Sequence, residues 1–354
     1  MTLLEETIAA IAPLDAAAAR VASTRLDSLT KPPGSLGRLE EIVQRYAAIR
    51  GDAAARMGGG ALAVFVADHG IAEEGVSAFP QAVTLEMLRN IAGGGAAISV
   101  LARRFGYQLL VFDVGVKTDT SAAPLAGVIY RRIGAGTANF AHRPAMTAHE
   151  VRHAIETGIE IARQIAASGA TVIGIGEMGI ANSTSAAAIL CATTGLAPTD
   201  LAGRGTGLDD AGVRRKAAVL ERALELHRDA LTGGEAILAA VGGFEIAAMA
   251  GVCLAGAALS IPVVVDGFIA TAAASAAERI RPGLFDYLIF AHRSAEGGHS
   301  RALDRMRVQP LLDLGMRLGE GTGAALAMNL LEAALAMYHS MATFESAGVS
   351  GKLP

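Results

Sequence analysis

A chain of 354 residues, 52% hydrophobic and 18% charged, can fill the core of one large α/β domain or two smaller ones, and no long polar tract favours disorder. The formal net charge of −4 comes without the basic stripe that a nucleic-acid footprint needs. Cys191 and Cys253 have neither CxxC spacing nor a histidine cluster nearby, so they read as small buried hydrophobes in a reducing cytoplasm, not as metal ligands.

The opening "MTLLEETIAAIAPLD" carries acids where a signal peptide needs positive charge, so export is not expected. Residues 1–50 hold two helical patterns around the turn "LTKPPGSLGRLE" (29–40), where Pro32, Pro33 and Gly34 forbid helix. Six apolar runs follow, each ending in polar or glycine-rich residues: 61–70, 108–115, 171–179, 236–245, 262–268 and 286–294. Apolar strands alternating with helices predict a parallel sheet buried on both faces. Ligands of such sheets bind beyond the carboxyl ends of the strands. Asp68, His69, Asp113, Glu177, Glu245, Asp266, His292 and Ser294 fall at those ends, which marks one sheet edge as a small-molecule site. The stretch "IAAMAGVCLAGAALSIPVVV" (246–265) is long enough to span a bilayer, but Ser260 and Pro262 split it into a buried helix and a central strand, and basic anchors are missing from its flanks.

Within that frame, "ADHGIAEEGVSAFPQAVTLEML" (67–88) leaves the first strand as an irregular segment. Asp68 and His69 have no further His or Cys at ligand spacing, so no metal is expected there. Phe79, Pro80, Val83 and Met87 offer flat apolar surface for a planar ligand, although core packing is the commoner fate of such residues. "GIGEMGIANSTSAAAIL" (174–190) is a strand, a glycine turn and a helix start rich in Ser and Thr. It suits a mononucleotide phosphate and also an ordinary cap, and it contains neither a Walker A loop nor GxGxxG. "GRGTGLDDAGVRRKAAVL" (203–220) is either a solvated surface helix or a source of one lysine charge for that phosphate. In "AHRSAEGGH" (291–299), Ser294 and the following glycines suit a phosphate or ribose, and His292 is a base or a satisfied strand-end histidine. No GxSxG nucleophile elbow is present. "RLGEGTGAALAMNLLEAALAMY" (317–338) places the lone acid Glu320 between two glycines at the entrance of a long apolar helix, where it either caps the helix or takes a proton.

Together, "TKPPGSLGRLE", "ADHGIAEEGVSAFPQAVT", "GIGEMGIANSTSAAA", "GGFEIAAMAG", "VDGF", "SAEGGH" and "MRLGEGTGAALAM" occur in an order, from residue 30 to about 340, that resembles the nicotinate-nucleotide–dimethylbenzimidazole phosphoribosyltransferases of cobalamin assembly. The resemblance implies a Rossmann-like, mostly parallel sheet in a large domain (51–314), with a small helical subdomain built from residues 1–50 and 315–354, and a homodimer. It implies transfer of phosphoribosyl from nicotinate mononucleotide to 5,6-dimethylbenzimidazole or a related base, with inversion at the sugar and without metal or cofactor. Glu320 matches the family's catalytic base and Glu177 its supporting acid, while Gly179, Gly205, Lys216, Gly267 and Ser294 match its phosphate and ribose contacts. Phe79 and Met87 stand where a well-known branch has a serine and a glutamine facing the base, which makes this pocket more apolar. An NAD-dependent dehydrogenase is the rival enzyme reading and would need GxGxxG after the first strand. A non-catalytic nucleotide-binding regulator would have no use for Glu320.

Overall fold

The computed structural model describes residues 1–350, so residues 351–354 of the expected C-terminal segment lie outside the described residues. Its centre is a six-stranded, all-parallel sheet of β1 (Gly60–Ala67), β2 (Gln108–Gly115), β3 (Val128–Tyr130), β4 (Val172–Met178), β5 (Val263–Val265) and β6 (Leu288–Phe290). The strand order is β3-β2-β1-β4-β5-β6, the doubly wound arrangement in which the direction of winding reverses between β1 and β4. That reversal splays the connections apart and opens a crevice at the carboxyl edge.

Alternation along β1 divides the core. Ala61, Ala63, Phe65 and Ala67 join one buried cluster, and Leu62, Val64 and Val66 join the other. On the first face, the helices Ala148–Ala167 and Phe244–Ala258 cross so closely that a Cβ on Gly158 would lie 1.9 Å from the Ala248 carbonyl oxygen. Gly251 meets Ile155 in the same way, at 2.0 Å. On the second face, the helices Ala16–Ser28 and Arg38–Arg50 from the start of the chain pack with Thr322–Ser340 from its end. Arg25 ties the two ends together, donating from Nε to the Tyr338 carbonyl at 3.0 Å. The first helix, Leu3–Ala9, instead crosses to the opposite face and rests on Phe244–Ala258 and Ala148–Ala167.

One expected strand is absent. Residues 236–245 hold no strand: Gly234–Val241 is one helix, Gly242 and Gly243 break it in extended conformation, and the next begins at Phe244. The run is alanine-rich and its helices are buried on nearly every side, so no polar face betrays a helical period, and alanine's high helix propensity decides the outcome. Glu245 therefore lies in a helix's first turn, not at a strand end. The sixth strand is instead β3, a short half-buried edge. No helix among the described residues is long and apolar enough to cross a membrane. Both cysteines are buried, and burial pushes each thiol up to about 12, as inert hydrophobes require.

Candidate active site

A cleft of about 290 Å³ opens over the carboxyl ends of β4, β5 and β6, near the ~300 Å³ lower bound usual for small-molecule sites. Its floor at β4 is Glu177, followed by the turn through Gly179 and Ala181 into the helix Asn182–Thr194. Ala181 takes the left-handed conformation (φ 74°), and no side chain caps the helix it precedes. A strained non-glycine residue and a helix start without a side-chain cap thus face the open space, with the Asn182 and Thr184 N–H groups bonded to the Gly179 and Ala181 carbonyls.

Lys216 reaches that end from the helix Asp210–Leu226. It is fully buried, and burial holds its ammonium down at about 8. It donates to Ser183 Oγ at 2.8 Å. Gly205, with φ 51°, covers it: a Cβ there would lie 2.9 Å from Ser183 Oγ and 3.5 Å from Lys216 Nζ. Ser294, Glu296 and Gly267 complete this side of the lining. Exposed Phe79 and Leu318 stand in the lining with Ser77 and Arg317.

The other end is acidic. Burial pushes the Glu177 carboxyl up to about 8, with the neighbouring charges of Glu245, Asp266 and Glu320 adding to the rise and the amide of Asn182 opposing it. Asp266 is also raised by burial, although His292 and three backbone N–H groups pull it down. Its carboxylate accepts from Gly321 N at 3.1 Å and from Ala324 N at 2.9 Å, so this acid caps the helix Thr322–Ser340.

Glu320 does not cap its own helix. It sits at φ 63°, 4% exposed, with its Oε2 buried and unpartnered. Burial raises its pKa first and Asp266 adds to that, against the N–H of Ile98. Its backbone lies on β4, since a Cβ on Gly176 would come within 2.5 Å of the Glu320 carbonyl oxygen. Gly319 lines the open space, and Glu320 stands one residue behind it. A Cβ on Gly319 would fall 2.5 Å from Glu177 Oε1, so the acid of β4 and the entrance loop of the last helix touch.

The structure thus gathers Glu177, Gly179, Gly205, Gly267, Ser294 and Phe79 around one cleft and puts Lys216 and Glu320 directly behind its wall. Met87 is not in the lining; it lies half-buried on the helix Val83–Ala92, against the second core cluster. Sequence reasoning did not anticipate the amide of Asn182 on Glu177, Arg317 in the lining, or the capping by Asp266. The last joins residues 55 apart, and only the tertiary fold reveals it. His69 lies deeper, bonded to Glu245 at 2.6 Å and to Ser185 at 2.9 Å, with His69, Glu245 and Ser185 all fully buried. This row pins the start of Asn182–Thr194 to β1 and is sealed from the cleft. Among the described residues, no group of three His, Cys, Asp or Glu side chains is placed to hold a metal ion.

An uncapped helix start, a buried lysine and a set of buried acids on a doubly wound sheet describe a nucleotide-handling enzyme, and the family model described as Phosphoribosyltransferase matches residues 11–349. The nicotinate-nucleotide–dimethylbenzimidazole phosphoribosyltransferase of Roseiflexus sp. (strain RS-1) is 49% identical over 353 residues, covering 100% of this chain and 99% of the relative. The protein of the same name from Chromobacterium violaceum is 50% identical, covering 96% of this chain and 98% of its own. The crystal structure of CobT from Thermus thermophilus superposes with a TM-score of 0.89 at 45% identity, over 94% of this chain and 99% of that one. The chain belongs to the nicotinate-nucleotide–dimethylbenzimidazole phosphoribosyltransferase family.

Proposed function

We propose that this enzyme moves phosphoribosyl from nicotinate mononucleotide to 5,6-dimethylbenzimidazole or a related base, releasing nicotinate and giving an α-ribazole 5′-phosphate with inversion at the anomeric carbon. The observation that supports this reading is the polarity of the cleft: a buried lysine among glycines at one end and buried carboxylates at the other. An anionic phosphate fits only the lysine end of that polarity, which leaves the nicotinate ring, whose pyridinium charge is offset by its own carboxylate, to the other end.

The chemistry asks little of the protein. Nicotinate leaves a pyridinium with a neutral ring nitrogen, so its departure needs no general acid. The incoming benzimidazole attacks through one nitrogen and must lose the proton on the other. In this reading Glu320 takes that proton, a contribution of ~10²–10⁴-fold. Its unpartnered buried Oε2 and its raised pKa support the role, since a base hydrogen-bonded to its own helix would be weaker. Glu177, pushed up to about 8, holds its proton at neutral pH and supports Glu320 as a neutral neighbour. Gly179, Gly205, Lys216, Gly267 and Ser294 hold the phosphate and ribose, and Phe79 faces the acceptor base. Met87, outside the lining, has no contact with the base in this reading. Positioning both reactants on rigid strand ends supplies the rest. A homodimer and two domains, 51–314 with 1–50 plus 315–354, belong to the same reading, except that the helix Leu3–Ala9 packs on the large domain and not with the other terminal helices.

The test is an acceptor panel with nicotinate mononucleotide, with products identified by mass and anomeric configuration. An α-linked product with an apolar benzimidazole is expected; no nicotinate release with any base would refute the proposal. Because β1 runs into "ADHGIAEEG" and not into GxGxxG, nothing at the switch point favours the dehydrogenase reading. Turnover also separates the enzyme from a binding-only regulator.

A further inference from the structure

The phosphate end of the cleft already holds an anion of the protein's own. The Gly205 N–H donates to both oxygens of Glu296, at 3.0 and 3.1 Å. The carboxylate lies flat on the adjoining backbone, for a Cβ on Gly203 would fall 2.0 Å from Glu296 Oε1. Glu296 is itself buried, and its own N–H is fixed by Ser294 Oγ at 3.2 Å. Its charge acts on Lys216, whose ammonium has three donors but only one short bond, to Ser183, and a longer reach of 3.5 Å to the Gly203 carbonyl. The opposite side of the same glycine is held by Arg317, which donates to the Gly205 carbonyl at 3.3 Å and is otherwise exposed.

A phosphate monoester arriving at Gly205, Lys216 and Ser294 requires the Gly205 N–H that Glu296 now occupies and the Lys216 ammonium on which its charge acts. One N–H cannot serve both, and a dianion placed beside a buried carboxylate is repelled. We propose that Glu296 is an internal competitor for the phosphate of the nucleotide, filling the cradle until the phosphate binds and then turning out of it. The inference rests on reading Gly205, Lys216 and Ser294 as phosphate contacts. It makes Glu296 a determinant of specificity. The cradle stays assembled around Lys216 without substrate, and only an anion that binds better than a tethered carboxylate displaces the plug. Arg317, held loosely on the same loop, is then free to follow the phosphate.

Equilibrium binding of nicotinate mononucleotide, and of the nicotinate riboside that lacks the phosphate, to wild type, Glu296→Gln and Glu296→Ala tests this. Both variants should bind the nucleotide about tenfold tighter, ~1.4 kcal/mol, with riboside binding unchanged. Weaker nucleotide binding in the variants would make Glu296 a ligand-holding group, and equal tightening of both ligands would make the effect general; either outcome overturns the proposal. A crystal structure of wild type with nicotinate mononucleotide gives a check that does not depend on the variants folding. The Glu296 carboxylate should have left Gly205 N, and its persistence there with nucleotide bound would refute the exchange. If wild type neither binds nor turns over the nucleotide, it is the functional reading that fails.

Discussion

Where the cleft meets the helix Asn182–Thr194, backbone N–H groups and the Lys216 ammonium converge around glycines; where it meets the last long helix, Glu177, Asp266 and Glu320 crowd together out of water. The first end is short of negative charge and borrows some from Glu296. The second has more than it can ionise, and burial raises all three of its acids. A guest with an anionic phosphate at one end and a net-neutral ring at the other would be oriented by its phosphate, which only the lysine end of the cleft attracts.

The sharpest way to break this contrast is at the acidic end. Glu320→Gln should lower single-turnover transfer at saturating substrates by ~10²–10⁴-fold while both substrates still bind; retention of most turnover would remove Glu320 as the base. At the other end, Lys216→Ala should raise the KM for nicotinate mononucleotide by roughly 10–100-fold, the value of a hydrogen bond to a charged group, with a smaller effect on the KM of the base. Equal effects on both would mean that the lysine only supports the fold.

The third test reads the acids through stability. Glu177 has its pKa raised from 4.5 to about 8, so between those values the folded protein keeps a proton that the unfolded chain has released. Its contribution is complete at pH below the unfolded value and is lost as pH climbs through the folded one. The melting temperature of the ligand-free enzyme should therefore fall from about pH 5 to about pH 8, and Glu177→Gln should flatten part of that slope. Parallel slopes would show that the acid end is not under strain. The smallest effect is expected at the rim: Phe79→Ser, at a side chain that is 50% exposed, should raise the KM for an apolar acceptor roughly fivefold, about 1 kcal/mol of lost contact. The KM for the nucleotide should not change.

Much of this is readable from residues alone. The runs at 61–70, 108–115, 171–179, 262–268 and 286–294 each contain a strand, because β-branched and aromatic residues in short continuous stretches have few other uses in a buried sheet. The run at 236–245 misleads because a helix buried all round loses the periodicity that distinguishes it from a strand. β3 escapes notice because three half-buried residues make too little pattern to read. Strand-end position picks out Glu177, Asp266 and Ser294 as site candidates. It does not show that Glu296 lies on a glycine 91 residues away, because a polar contact of that range leaves no periodic trace.

The capping of the last long helix by Asp266 has a consequence for assembly. Residues 321–324 give two N–H groups to the Asp266 carboxylate just past the end of β5, so the start of the helix and the strand end hold one another. The acidic end of the cleft is therefore complete only once the final long helix has settled on the sheet. A chain halted before that step would resemble the finished molecule in outline while leaving that carboxylate to water.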